Sequence, residues 1–432
     1  MTILKKFYHL IIAIFANVKY EFPSKKLKII GVTGTKGKTT TVHFIYQILK
    51  NSGLKVGMIS TTGAVLGNDE IDTGLHVSTP NSLDLQGYLK KASEQGLEWM
   101  IIESTSHGLV QHRLWGISFD IGIITNIASD HLDYHKTWKN YMNAKAGLIK
   151  KIKAKGTIIL NKDDDSYKHL ELISKKTGKK IISYGIKNNS ADFLATKISQ
   201  SINGLSFNLK EHEEKKTTEY SLGIMGNFNI YNATASIIAS KILKISQDVI
   251  SKTLKNIIIP CGRMEIIQKE PIMIVVDFAH NSFSLNTSLN DLIKFKQTSS
   301  KIISVFGCPG ARDKSRRIMG KVSAELADIT IITADDPRTE KLEDISEEIA
   351  SWARKGGAKE VGKKNYNQIN NKKGIYLKIP DRKEAISFAI KIAEKGDVVY
   401  ITGKGHEKSI CIGTTEYPWS DQNIIRELTS SK

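Results

Sequence analysis

Lys28-Ile-Ile-Gly-Val-Thr-Gly-Thr-Lys-Gly-Lys-Thr-Thr-Thr-Val42 is the stretch that decides the fold. Lys28–Val32 is a mostly apolar run of the kind that forms a buried strand. Glycines at 31, 34 and 37 interrupt it, and Thr39–Lys50 continues with the apolar spacing of a helix. A strand, a glycine loop and a helix start gather backbone N–H groups and the positive end of a helix dipole at one point, which suits a polyphosphate. Lys38 is placed to reach terminal phosphates, and the Thr39 hydroxyl to bind Mg2+. Gly34, Thr35, Lys36, Gly37 and Thr40 complete the cradle. The spacing is G-x-x-G-x-x-G-K-T, with Val32 where the strict phosphate loop has its first glycine.

Outward from this loop, strand-like runs recur at Val56–Ser60, Trp99–Glu103, Ile121–Thr125 and Thr157–Leu160. Helical stretches such as Ser82–Glu94 and Lys139–Ile149 separate them. That alternation predicts an α/β fold: a P-loop NTPase-like central domain on a mostly parallel sheet. Ser183–Leu222 alternates and reads as strands, and Asn229–Ile242 and Ser246–Leu254 read as helices. After the Pro260–Gly262 break a second series begins, with strands at Met273–Phe278, Ile302–Phe306, Ile329–Thr333 and Val398–Thr402. Its helices are expected at Ser315–Ala327, Ile345–Arg354 and Arg382–Glu394, with a solvated polar loop at Asn365–Lys373. This predicts a C-terminal Rossmann-like α/β domain. The expected division is an amphipathic segment 1–27, a central domain 28–259 and a C-terminal domain 260–432.

The chain has 432 residues, of which 40% are hydrophobic and 25% charged, and this excludes a disordered protein. Its net charge of +19 raises nucleic acid, a membrane surface or anionic substrates as partners. Only nine basic residues are Arg and 54 are Lys. Readers of nucleic acid lean on Arg, so no nucleic-acid partner is expected, and the Lys majority reads as a solubilising surface. Cys261, Cys308 and Cys411 make no CxxC and no disulfide framework, which suits a reducing cytosol. No apolar run reaches the length of a spanning helix. Phe7–Val18, behind Lys5 and Lys6, has the basic and apolar regions of a signal peptide but no clear cleavage site. It reads better as a packed or interfacial amphipathic helix.

Two short matches suggest a GTPase switch: Asn161–Asp164 fits N-K-x-D, and Asp84–Gly87 fits D-x-x-G. The second falls inside an expected helix, where no switch loop could sit.

Three further segments follow the loop in order: Glu103-Ser-Thr-Ser-His-Gly-Leu-Val-Gln-His-Arg113, Thr125-Asn-Ile-Ala-Ser-Asp-His-Leu-Asp-Tyr-His135 and Tyr141-Met-Asn-Ala-Lys-Ala146. With GTKGKTTT they closely resemble the Mur ligases, of the type that adds the third residue of the peptidoglycan stem peptide. The resemblance runs from about residue 28 to 425. It implies an ATP- and Mg2+-dependent amide ligase. An acceptor carboxylate becomes an acyl phosphate, and an incoming amine displaces the phosphate. The acceptor is a muramoyl-dipeptide carrying D-glutamate, and the donor a diamino acid, meso-diaminopimelate or L-lysine.

The same resemblance implies roles for individual residues. Glu103 and His131 match Mg2+ ligands; read alone, they are a strand-end carboxylate and a hydrogen-bonded loop histidine. Lys145 matches a lysine that is carbamylated and then holds a second Mg2+; read alone, it is one helical Lys among many. Asn229, Asn232, Arg263, Asp277 and His280 match groups around ATP, which the resemblance places between the domains. The family usually continues its A-H with T-P, where this chain has Asn281-Ser282. Thr79, Thr105, Gln111 and Arg113 match positions that bind the dipeptide. Arg312, Asp335, Asp336, Arg338, Gly403 and Glu407 match the amino-acid site. There Asp336 points toward lysine, while Arg338 and Arg312 point toward diaminopimelate, whose distal carboxylate Arg would meet. The balance leans to diaminopimelate, because two Arg would repel the ammonium end of lysine.

Family members also carry an N-terminal domain of roughly 100 residues for the uridine end, an ordinary small-domain size. Such a domain has no counterpart in segment 1–27, so the form of the acceptor is open, and a lipid-linked one is an option. Phe7–Val18 is the candidate for peripheral membrane or partner contact. The chain is expected to be a cytosolic monomer. Competing readings are a folylpolyglutamate synthase-like or pseudomurein-type ligase, or a P-loop switch that ligates nothing.

Overall fold

The Lys28–Val32 run lies inside an eleven-stranded sheet. The computed structural model describes residues 3–74, 78–128, 130–201, 204–296, 299–368 and 373–430. The chain divides into two units, Met1–Pro260 and Cys261–Lys432.

The strands of the first unit are β1 Lys28–Thr33, β2 Val56–Ser60, β3 Gly63–Leu66, β4 Asp69–Ile71, β5 Trp99–Glu103, β6 Phe119–Ile124, β7 Ile152–Asn161, β8 Lys180–Gly185, β9 Phe193–Ser201, β10 Gly204–Glu211 and β11 Lys216–Leu222. They lie in the order β11-β10-β9-β8-β7-β6-β1-β5-β2-β3-β4. β1 is flanked by β5 and β6 and parallel to both. Ile29, Ile30 and Val32 on it are fully buried, each contributing about 1.5–3 kcal/mol. Helices pack on the sheet and bring Val42, Ile45 and Leu49 against Ile30, Val32 and Ile101. Parallel strands put their carboxyl ends on one edge, where ligands of such sheets sit. The ends of β1, β5 and β6 carry the phosphate loop, Glu103 and Thr125. β9 still runs parallel to β8; beyond β9 the sheet turns antiparallel, and β10 alternates half-buried and buried positions, as expected for a strand with one face in the core.

The second unit has β12 Glu265–Gln268, β13 Met273–Asp277, β14 Ile302–Phe306, β15 Ile329–Ile332, β16 Lys359–Glu360, β17 Ile375–Lys378 and β18 Val398–Thr402, in the order β12-β13-β18-β14-β15-β17-β16. All its pairings are parallel except β12 with β13. A separate hairpin joins β19 Ser409–Ile412 to β20 Thr415–Pro418. This is the doubly wound α/β architecture that the alternating pattern predicts.

Two local expectations change. Ser315–Ala327 is not one helix: Lys314–Ile318 is a tighter 3-10 turn before the α-helix Met319–Leu326. The turn forms where Arg317 is drawn inside to donate to Pro309 O at 3.1 Å and Glu340 Oε2 at 3.3 Å. Asn365–Lys373 is not wholly solvated, because Lys363–Gln368 forms a 3-10 turn that buries Tyr366 against Phe388. Residues 369–372 of that loop lie outside the described ones.

Asp84–Gly87 lies within the helix Ser82–Glu94, capped by the Asn81 side chain. The nearby acids after β7 are occupied structurally: Asp163 accepts from three backbone N–H groups and from Tyr231, and Asp164 accepts from Ile127 N. Both segments of the GTPase-like pattern therefore serve the fold.

Candidate active site

In the first unit the phosphate loop is held from two sides. Thr35 N donates to Asn126 O, and Lys36 N to Asn126 Oδ1 at 2.9 Å. Thr125 Oγ1 and Asn126 Nδ2 both donate to Lys36 O. The glycines are steric necessities. A Cβ at Gly34 would sit 1.9 Å from Thr125 Oγ1, and one at Gly37 2.2 Å from Asn232 Oδ1. Gly37, at φ 82°, precedes the helix Lys38–Asn51, whose first turn contains buried Thr39 and Thr40. Asn232 Nδ2 donates to Asn229 Oδ1, and Asn229 reaches back to Met225 O. The helix Phe228–Ile242 thereby backs the loop.

Glu103 closes the cradle. It is 1% exposed, and its Oε2 accepts from Thr39 Oγ1 at 2.9 Å and Thr61 N at 3.1 Å. Lys38 Nζ stands 4.0 Å from Oε1 and donates to Thr35 O. A carboxylate beside a hydroxyl is an oxygen set suited to a hard cation such as Mg2+.

Lys145, on the helix Trp138–Lys150, reaches the same loop. Its Nζ donates to Gly34 O at 2.6 Å and lies 4.6 Å from the Tyr141 ring centroid. Burial, reinforced by the Lys38 charge, holds its amine well below the usual lysine range. His131 has a left-handed backbone at φ 53°. Burial lowers its imidazole to about 4 against the raising effect of Asp130, so it is neutral at physiological pH.

Thr79, Thr105, Gln111 and Arg113 form one network. Thr79 Oγ1 donates to Glu103 O at 2.8 Å, which ties the network to the cradle. Thr105 accepts from Gly108 N and so caps the short helix Ser106–Val110. Arg113 spends Nε and Nη2 on Gln111 Oε1 and donates through Nη1 to Thr79 O.

The second unit shows a different arrangement. Asp277, at the end of β13, accepts from Met264 N and Phe278 N on one oxygen and from Ser288 Oγ and Tyr400 OH on the other. It therefore organises the strand end. The Arg263 guanidinium lies 4.6 Å from the Phe278 ring centroid, and His280 Nδ1 is 3.0 Å from Phe278 O. Arg312 is exposed on its loop.

Asp335, Asp336 and Glu407 meet around a residue that the sequence reading passed over. Lys404 Nζ is fully buried and lies 2.7 Å from Asp336, 2.7 Å from Glu407 and 4.0 Å from Asp335. Burial opposes its charge, but the three carboxylates hold its pKa above the ordinary lysine value. Gly403, at φ 106°, lets the backbone pass Asp335, since a Cβ there would be 2.5 Å from Oδ2. Asp336 Oδ1 also accepts from Cys411 N on the hairpin. Arg338 has φ 52° and is pinned by that hairpin through Arg338 N to Cys411 O and Gly413 N to Arg338 O. Its Nη2 is 3.6 Å from Asp336 Oδ2, and its buried Nε–H has no acceptor among the described residues.

The sequence reading also passed over Asn126 and Thr61, which support the cradle. Asn126 lay within a quoted motif, and its place beside the glycine loop was the available signal. Lys404 stands between Gly403 and Glu407 in the sequence, with nothing there to separate it from other lysines.

Comparison with known proteins agrees with this layout. The Mur ligase middle domain matches residues 32–240, and the Mur ligase, glutamate ligase domain matches residues 262–405. A UDP-N-acetylmuramoyl-L-alanyl-D-glutamate--2,6-diaminopimelate ligase of Clostridium perfringens is 37% identical over 431 residues, covering 98% of this chain and 82% of the relative. The protein of that name from Clostridium botulinum is 35% identical, covering 96% and 81%. A solved structure bearing that ligase name is 29% identical, with a TM-score of 0.64 over 94% of this chain and 78% of the other. The two domain models match in order along most of the sequence, and the chain belongs to the Mur ligase family.

Proposed function

We propose that this chain is an ADP-forming ligase that joins 2,6-diaminopimelate to the D-glutamate carboxyl of a UDP-N-acetylmuramoyl-L-alanyl-D-glutamate acceptor. The relatives' names supply the substrates. The observation that carries the reading is the convergence of Lys38, Thr39, Glu103 and Lys145 on one glycine loop.

In this reading the loop N–H groups and Lys38 orient the ATP phosphates. Charge builds on phosphoryl oxygens during transfer, so positioned cations do most of the catalytic work. Thr39 and Glu103, with His131 beside the loop, would hold Mg2+, which when bound neutralises phosphate charge. Burial disfavours the charge on the Lys145 amine, which favours carbamylation: the neutral nitrogen bonds to CO2 carbon and loses a proton to solvent. The product is an anionic oxygen donor where an amine stood. Asn229 and Asn232 set the back of the cradle. Thr79, Thr105, Gln111 and Arg113 serve the acceptor, with Arg113 keeping unspent N–H groups for a carboxylate.

In the second unit, Arg263, Asp277 and His280 serve ATP. Arg338 and Arg312 favour diaminopimelate over lysine. Asp336 does not argue for lysine in this reading, because its charge is answered by Lys404 and by Cys411 N–H. Phosphate release over a panel of acceptors and amino acids tests the proposal. It should require both the acceptor and diaminopimelate, with L-lysine turned over far more slowly. Release that ignores the acceptor would mark a nucleotide switch, and a preference for L-lysine would reverse the assignment of Arg338.

A further inference from the structure

The helix Ile3–Lys19 is apolar on two opposite faces. Its inner face is small. Ala13 and Ala16 are fully buried, and Asn17, also buried, donates to Ala13 O and to Trp115 O at 3.0 Å. Gly116 allows this approach, since a Cβ there would lie 2.2 Å from Asn17 Oδ1. The helix is therefore fixed in rotation about its axis.

That rotation turns its large side chains outward. Leu4, Phe7, Tyr8, Ile11, Ile14, Phe15 and Val18 are exposed, from 39% at Ile14 to 81% at Leu4. At 100° per residue they fall on one continuous stripe. Monomeric proteins rarely leave so continuous an apolar surface to water, and such stripes mark interaction sites. The helix holds no Asp or Glu, Lys5 and Lys19 flank the stripe, and Lys6 adds an exposed charge on the first turns. Lys25 and Lys26 follow on the next turn, both exposed. No described helix is long and apolar enough to cross a membrane.

We infer that this face lies on an anionic lipid bilayer, its apolar stripe at the boundary of headgroups and acyl chains and its lysines among the phosphates. Charge complementarity selects this occupant. A basic, acid-free helix with aromatic and aliphatic residues on one face is the pattern of an interfacial anchor. A second copy would instead set the flanking Lys5 and Lys19 against like charges. The inference goes beyond the ligase reading and does not depend on it.

The test is flotation of the full chain with vesicles of equal parts phosphatidylcholine and phosphatidylglycerol, against phosphatidylcholine alone. The chain should float with the anionic vesicles and much less with the neutral ones, and high salt should weaken it. The double variant Ile11→Ser/Phe15→Ser alters only exposed side chains and should melt as the parent does. Removing two membrane-buried side chains should cut binding at least about tenfold. Lys5→Glu/Lys6→Glu should weaken it selectively on anionic vesicles. Absence of flotation, or flotation unchanged in the Ile11/Phe15 variant, would overturn the inference. So would a dimer in solution that this variant dissociates, which would assign the face to a second copy.

Discussion

The phosphate-loop cradle and the Lys404 cluster both bury charge, and they do it in opposite ways. In the cradle one buried carboxylate, Glu103, faces hydroxyls, amides and a lysine 4.0 Å away, while burial holds a second lysine, Lys145, well below the usual lysine range. In the cluster three carboxylates surround a single fully buried lysine whose charge they hold. The first is preorganised to receive charge from outside. The second has settled most of its charge internally and offers shape and one pinned arginine. A buried charge is costly unless paired, so the two regions should respond differently when a lysine is removed.

The largest effect should come from Lys38→Ala. It removes the cation aimed at the phosphates, and ligation should fall by about three orders of magnitude, read as the initial rate of phosphate release. Next, Lys404→Met strands two buried carboxylates, Asp335 and Asp336, beside the partly buried Glu407, and should cost about 3–5 kcal/mol in urea unfolding. The contrasting variant, Lys145→Met, should cost under about 1.5 kcal/mol, because burial already disfavours the charge on that amine and Met is of similar size. Equal losses in the two would erase the distinction between the regions.

Arg338→Ala should raise the KM for diaminopimelate about 10–100-fold, the worth of a charged hydrogen bond, with little change in kcat. The smallest effect concerns pH. His131 is lowered from 6.5 to about 4, so the unfolded chain binds its proton first as pH falls. Its contribution is neutral above 6.5 and turns destabilising between 6.5 and about 4. The melting temperature of His131→Asn should therefore fall less than that of the parent across this window.

Legibility followed the same division. The cradle could be read because strand, glycine loop and helix are contiguous, and the buried parallel strands announce themselves as apolar runs. Ile302–Phe306 and Val398–Thr402 match residue for residue. The short elements were silent: β3–β4 and β19–β20 run only three or four residues each and are defined by pairing, not by pattern. Lys404 was invisible for a physical reason. What distinguishes it from 53 other lysines is the convergence of Asp335, Asp336 and Glu407, from two distant segments, and only the fold brings these together. Arg317, buried inside a turn read as plain helix, was hidden in the same way.

The most direct test of the central claim follows an oxygen atom. Acceptor labelled with 18O in its D-glutamate carboxylate is incubated with ATP, Mg2+ and diaminopimelate, and the released phosphate is analysed by mass spectrometry. If the chain activates that carboxylate as an acyl phosphate, one labelled oxygen appears in the phosphate for each amide formed. Unlabelled phosphate, released at the same rate without the acceptor, would contradict the account.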